Sequence, residues 1–265
     1  MSNVFDTHCH PQFPQYKNDR EEVIRRALDG GVSMICVGTD LETSKQGIDL
    51  AQKHKDIWAT VGLHPNDAND ELGIMNYEQL LAQPKVVAVG EVGLDYYRTP
   101  EPEKQKKQKE VFEQFIDLAL KNNKPMVLHF RDSPKGSSGR VHKDALEILP
   151  KNIVGVSHSF TGNINEAREY IDRGMCLGFN GIITFARQYD EVVKYVPLEN
   201  ILLETDAPYL TPLSRRSPSE GGRTRNEPLY VKEVAKKIAE LKNVSIDEVI
   251  AKTTQNVINL FKIDI

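Results

Sequence analysis

The stretch NVFDTHCH, residues 3–10, decides the fold. It opens as a short apolar, β-prone run and ends in His-X-His. A doubly wound nucleotide-binding sheet would carry GxGxxG at this point, and none follows this strand. Seven further runs of the same character follow. They are SMICVGT (33–39), IWATVGL (57–63), VVAVGEVG (86–93), PMVLHF (125–130), IVGVSHS (153–159), MCLGFN (175–180) and ILLETD (201–206). Between them lie amphipathic stretches such as REEVIRRALDGG, SKQGIDLAQKH, HKDALEIL and NEAREYIDRG, several of which stop at Gly or just before Pro. Strand alternating with helix eight times predicts parallel βα units of the α/β class. Their number predicts a closed (β/α)8 TIM barrel, one domain over residues 1–265, with the open doubly wound sheet as the alternative. Two more helices, roughly 228–241 and 245–261, end the chain. The polar run EPEKQKKQKE (101–110) reads as the solvated first turns of a long helix, because EVFEQFIDLAL continues it at helical spacing.

The polar residues fall at the strand ends. His8 and His10 end the first strand, His64 the third, Glu91 the fourth, His129 the fifth and His158 the sixth. Glu204 and Asp206 end the eighth. In a barrel all of these ends share the face on which active sites are built. The remaining histidines, His54 and His142, sit in polar helical segments and are expected at the surface. A lone histidine at a strand end is ordinarily a hydrogen-bonding residue, and a lone carboxylate a turn or cap. Many separate strands delivering imidazole and carboxylate to one rim point instead to a metal centre.

Residues i and i+2 of a strand share a face, so His8 and His10 are expected to project together. Cys9 then faces the helical layer. Asp6 is expected on the histidines' face, one step deeper, orienting a histidine or closing a polar layer. The candidate ligands are His8, His10, Glu91, His129, His158 and Asp206. They are too many for one four-coordinate ion. Glu91 is therefore expected to bridge two ions, with His8, His10 and Asp206 on one and His129 and His158 on the other. Such a pair activates water and clamps both oxygens of a displacement at phosphorus. Asp206 and Glu91 are the catalytic candidates, Asp206 as general base. One or two divalent ions are expected, drawn from Zn, Mg, Mn, Ni and Co.

After the eighth strand, SRRSPSEGGRTRNEP (214–228) places Arg215, Arg216, Arg223 and Arg225 among Gly, Ser and Pro. This reads as a phosphate grip, against a plain solvated loop. His64, Asp95 and Tyr96 are candidate substrate contacts, Tyr96 by stacking on a base. With 34 basic and 38 acidic residues the net charge is −4, which excludes a protein that coats long nucleic acid. Contacts limited to a strand end remain compatible. No apolar run is long enough to span a bilayer, and no basic-then-apolar leader opens the sequence. Cys9, Cys36 and Cys176 are few, odd in number and scattered, as expected of reduced thiols in the cytoplasm.

DTHCH (6–10), GLHP (62–65), GEVGLD (90–95), LHFR (128–131), SHSFTG (157–162), ETDAPYL (204–210) and RNEP (225–228) occur in the order seen in the TatD family. The sequence resembles these metal-dependent deoxyribonucleases, a branch of the amidohydrolase-like barrels, essentially from end to end. The resemblance implies a (β/α)8 barrel and a divalent-metal nuclease acting on DNA from single-stranded 3′ ends. It places the family's ligands on the same six residues. Related barrels bridge their metals with a carbamylated lysine on strand four, and here that strand carries Glu91. SPKGSSGRV (133–141) and SRRSPSEGG (214–222) are longer and more basic than the resemblance implies. DNA is the expected partner; no membrane and no obligate protein partner is expected. The alternatives are a metal hydrolase of another ester or amide, such as an aminoacyl ester on RNA, and a non-catalytic protein that keeps the metal site.

Overall fold

The computed structural model describes residues 4–69, 73–133, 140–217 and 224–264. Eight parallel strands pair in chain order: β1 Val4–Cys9, β2 Val32–Cys36, β3 Ile57–Val61, β4 Val86–Asp95, β5 Met126–Arg131, β6 Gly155–His158, β7 Cys176–Phe179 and β8 Ile201–Leu203. Beyond β8 the chain continues along β1. Cys9 bridges Ala207 in parallel, the Asp206 N–H donates to the His8 carbonyl at 2.8 Å, and the His10 N–H donates to the Ala207 carbonyl at 2.8 Å. These bonds close the barrel.

Helices alternate with the strands: α1 Arg20–Asp29, α2 Leu41–Lys53, α3 Ile74–Leu81, α4 Pro102–Lys121, α5 Arg140–Ile148, α6 Ile164–Asp172 and α7 Asp190–Tyr195. Then α8 Val231–Lys242 and α9 Ile246–Phe261 follow the last strand. Local chemistry sets several starts. Asp40 accepts from the Thr43 N–H at 2.7 Å ahead of α2, and Asn163 accepts from the Asn165 and Glu166 N–H groups ahead of α6. The polar run from Pro102 forms the first turns of α4, as its spacing predicts.

One apolar cluster takes a side chain from every strand: Phe5, Ile35, Trp58, Val87, Val127, Val156, Cys176 and Leu202. Eight strands can meet this way only inside the barrel. The end of α9 joins the cluster through Val257, Leu260 and Phe261 and plugs the floor beneath it. The opposite faces of the strands pack against the helices in a larger jacket that includes Cys9. Cys9, Cys36 and Cys176 are all free and buried. A cavity of about 610 Å³ opens at the floor between Trp58, Lys85, Lys124 and Lys262. Lys85 and Lys124 spend their N–H groups there on backbone carbonyls of Ala51, His54, Lys55 and Val86. The polar residues of interest lie at the other end.

Two sequence expectations need correction. Asp6 leaves the face expected from strand alternation, because a bulge between Asp6 and Cys9 shifts β1 against β2. Asp6 instead lies beside the Cys9 thiol and ties β1 to the end of β8. It accepts from the Thr205 N–H at 2.9 Å, the Thr205 hydroxyl at 2.6 Å and the His8 N–H at 3.3 Å. Burial raises its pKa to about 8. His142 is not at the surface. It lies on the inner face of α5 among Phe130, Phe160 and Tyr170, with Nδ1 3.0 Å from the Tyr170 hydroxyl. His54 is half-buried, 3.8 Å from Glu21.

Burial lowers the His142 pKa to about 4, against about 6.5 in an unfolded chain. A base depressed in this way stabilises the fold fully above pH 6.5, and that contribution is lost as pH falls toward 4. Denaturant unfolding of the His142→Gln variant at pH 4–7 should therefore show a shallower pH slope than the parent, by up to about 1.4 kcal/mol per pH unit. Equal slopes would mean that His142 takes up its proton alike in the folded and unfolded states.

Candidate metal centre

Strand geometry and the barrel closure bring the six candidate ligands to one place. His8 and His10 leave β1 side by side, their Nε2 atoms 3.2 Å apart. Two imidazole nitrogens this close are comfortable only with a proton or a cation between or beside them. The closure bonds hold Asp206 against them, with Oδ1 3.9 Å from His8 Nε2 and 3.5 Å from His10 Nε2. Asp206 adopts a left-handed backbone, φ +56°, a conformation that L residues rarely hold outside functional sites and tight turns. The carbonyl of Val37 fixes the other ring nitrogen of His10 at 2.8 Å, and Phe13 stacks on that ring at 4.3 Å.

Glu91 stands at the centre, buried on β4. Its two oxygens face different histidines. Oε2 is 3.3 Å from His8 Nε2 and 4.0 Å from His10 Nε2. Oε1 is 2.6 Å from His129 Nδ1, 3.5 Å from His158 Nε2 and 3.8 Å from His64 Nε2. Three overlapping groups have ligand atoms close enough to share an ion: His8, His158 and Asp206; His8, His10 and Glu91; and His64, Glu91 and His129. His64 therefore joins the candidate ligands, although its sequence position at GLHP suggested a substrate contact. It lies three residues past β3, held by its own N–H bond to the Thr39 carbonyl.

The electrostatics are those of a buried, self-compensated cluster. Burial pushes the Glu91 carboxyl up, but the charges of His8 and His158 and the contact with His129 hold it well below the usual range. Burial also opposes ionisation of Asp206, and His10, His158 and His8 outweigh it. Burial, then the nearby His158, lowers the pKa of His8. Burial would lower His158 too, yet Glu204, Glu91 and Asp206 raise it to about 10. Burial and His129 bring His64 down to about 4. His8 Nδ1 is buried without a hydrogen-bond partner. Imidazole nitrogens and ionised carboxylates converging in a dry site suit divalent cations, and the residues present fit such ions.

Around this core lie residues with supporting contacts. Asp95 Oδ2 is 3.4 Å from His129 Nε2 and accepts from Asn66 at 3.3 Å, while Oδ1 accepts from the Arg98 N–H at 2.9 Å. Burial raises its carboxyl, and His129 overrides this to about 2. Glu204, buried beneath the site, is 3.1 Å from His158 Nδ1 and accepts from the Ser159 N–H at 2.7 Å and from Asn180 at 3.2 Å. In the sequence Glu204 is a strand-end acid without an expected role. The usable signal was its i, i+2 relation to Asp206.

The candidate substrate contacts fare unequally. Tyr96 is fully buried and donates to Asp144 at 2.6 Å, so it offers no face to a base; continuation of β4 to Asp95 turns Tyr96 inward and its neighbour Tyr97 outward. Arg225 lies near β1 but is already paired, with Nη1 2.9 Å from Asp19 Oδ1 and its guanidinium stacked on Tyr16 at 4.5 Å. Arg215 is bound to Glu233 at 2.9 Å. Arg223 and most of both basic loops, residues 134–139 and 218–223, lie outside the described residues.

If Glu204 orients His158, the Glu204→Gln variant should fold normally and bind divalent metal roughly tenfold to a hundredfold more weakly in calorimetric titration. Unchanged affinity would reduce Glu204 to a packing role.

Comparison with known proteins agrees with this geometry. Residues 5–262 match the family described as TatD related DNase. An uncharacterized metal-dependent hydrolase of Bacillus subtilis, YabD, is 40% identical over 266 residues, covering 98% of this chain and all of that protein. The 3′-5′ ssDNA/RNA exonuclease TatD of Citrobacter koseri is 34% identical, covering 98% and 99%. Among solved structures, the TatD homologue YJJV of Escherichia coli K12 superposes with a TM-score of 0.85 at 28% identity, covering 98% of each chain. The family match spans every strand that contributes to the site, and on it the chain belongs to the TatD-related DNase family.

Proposed function

We propose that this chain is a divalent-metal-dependent hydrolase that removes nucleotides from the 3′ end of single-stranded DNA. One observation carries the reading: the two oxygens of Glu91 divide the surrounding histidines into two sets, His8 and His10 on one side and His64, His129 and His158 on the other. A carboxylate so placed would serve two ions, with His8, His10 and Asp206 as one ligand set and His129 with His158 as the other. Bound divalent ions would supply Lewis-acid charge to a phosphoryl oxygen and lower the pKa of a water.

The chain's own residues do the rest. Asp206, held ionised and only half-buried, accepts the proton of the attacking water at a carboxylate oxygen. Glu91 fixes the spacing of the two histidine sets. Asp95 and Glu204 hold His129 and His158 in orientation from behind. The burial of these groups keeps bulk water from competing for the polar atoms. The name of the Citrobacter koseri relative, 34% identical over nearly the whole chain, supports a nucleic-acid substrate and the 3′ to 5′ direction.

The test uses purified protein with 3′- and 5′-labelled single-stranded oligonucleotides. Chelation should abolish stepwise shortening from the 3′ end, and divalent metal should restore it. Asp206→Asn should lower kcat by about a hundredfold or more. Metal-replete protein that leaves DNA intact and hydrolyses another ester would replace this reading with the alternative hydrolase.

A further inference from the structure

Several arginines near the metal-bearing rim are paired with acids. Arg225 pairs with Asp19, Arg215 with Glu233, Arg187 with Asp190, and Arg140 lies 3.9 Å from Asp144. Arg131 and Arg216 differ. Among the described residues neither has a carboxylate within ion-pair distance, and each guanidinium instead lies over an aromatic ring. Arg131 is 4.0 Å from the centroid of Tyr97, and Arg216 is 3.9 Å from the centroid of Phe185.

Their positions relate both pairs to the site. Arg131 ends β5, two residues past His129 and so on the same face, one step nearer the rim. It is the register partner of Asp95, whose carboxylate touches His129, and Tyr97 lies two residues past Asp95. The first pair therefore caps the His129 side. Phe185 follows the short turn Gly181–Thr184, whose N-cap Asn180 donates to Glu204 behind His158. Arg216 is fixed by its Nε bond to the Thr211 carbonyl, in the loop that leaves Asp206. The Leu213 N–H donates to the Thr184 hydroxyl at 2.9 Å and ties that loop to the Phe185 turn. The second pair therefore caps the Asp206 side, three strands away round the barrel from β5.

We infer that these two guanidinium–aromatic pairs, Tyr97 with Arg131 and Phe185 with Arg216, grip a single-stranded nucleic acid on either side of the metal centre, and so select single strands over duplex. The inference rests on the proposed hydrolase reading for what happens between the pairs. A guanidinium held over a ring presents N–H groups at its edge to phosphate oxygens; at Arg216, where Nε is spent on the Thr211 carbonyl, the Nη groups serve. Tyr97 is 47% exposed and presents ring surface to a base. A single strand alternates phosphates with unstacked bases and matches both features. A duplex hides its base faces. With a net charge of −4 the protein has no broad basic field, so discrete points of grip must do this work.

The test is fluorescence anisotropy of the metal-loaded protein with a labelled single-stranded 12-mer carrying nuclease-resistant phosphorothioate links, and with the matching blunt duplex. Hydrolysis of bis(p-nitrophenyl) phosphate runs in parallel. The parent should bind the single strand at least tenfold more tightly than the duplex. Tyr97→Leu and Arg216→Gln should each weaken strand binding by roughly tenfold, and Tyr97→Phe should retain it. For the leucine and glutamine variants the loss on the strand should exceed any loss on the small diester at least fivefold. Equal binding of strand and duplex, leucine and phenylalanine variants that behave alike, or equal losses on strand and small diester would overturn the grip. Undiminished strand cleavage by both variants would remove the grip and leave the hydrolase reading standing. Strand binding that depends on both pairs, with no cleavage of an ordinary strand, would keep the grip and remove that reading.

Discussion

The seam between β1 and the chain beyond β8 is the constraint on which the rest depends. Two backbone bonds, Asp206 N–H to the His8 carbonyl and His10 N–H to the Ala207 carbonyl, close the eight-stranded sheet into a barrel. The same two bonds set His8, His10 and Asp206 beside one another although nearly two hundred residues separate them. Asp6 reinforces the seam through Thr205, and Asn226 ties the following loop back to the Thr205 and Tyr209 carbonyls. Closing the fold and assembling half of the ligand set are one event. A chain that failed to close would have neither.

The other half of the centre is a problem in charge. Glu91 is a carboxylate buried at the mouth of a barrel, and burial alone would drive it to protonation. What keeps it ionised is the ring of histidines around both of its oxygens. His158, raised to about 10 by Glu204, Glu91 and Asp206, supplies one of the compensating positive charges. A divalent ion bound there would supply positive charge to the same carboxylates. Without such compensation, burying the Glu91 and Glu204 carboxylates would be costly to the fold.

Much of this was legible in the sequence because it depends on two short-range regularities: strand alternating with helix, and polar residues at the strand ends. Those place His8, His10, Glu91, His129, His158 and Asp206 on one rim without knowledge of any contact. The exceptions share a cause. Asp6 left its expected face because of a one-residue bulge that no local pattern announces. Tyr96 and Tyr97 exchange roles according to where β4 ends, and strand ends are the least legible feature of a sequence. His142 sits in a segment of polar composition and faces inward because of the helix's orientation, which belongs to tertiary packing. Arg225 looked free because its partner, Asp19, lies more than two hundred residues away.

That last pairing bears on what the rim can recognise. The loop after Asp206 is stapled at its return by Arg225 to Asp19 and by Glu227 to Arg26, both on the α1 side of the barrel. Nearer its start, Arg215 binds Glu233 on α8, and Leu213 binds the turn after β7. Arginine in this loop therefore does two jobs that composition cannot separate. Where a carboxylate lies within reach, the guanidinium fixes the loop as a wall and its charge is spent. Where no carboxylate lies within reach among the described residues, as at Arg216, the guanidinium lies over a ring and bonds a backbone carbonyl, and its charge is not spent on an acid. The wall gives that guanidinium a defined place in the loop that leaves Asp206, so in the proposed grip the paired arginines contribute through geometry, while those over rings contribute through charge.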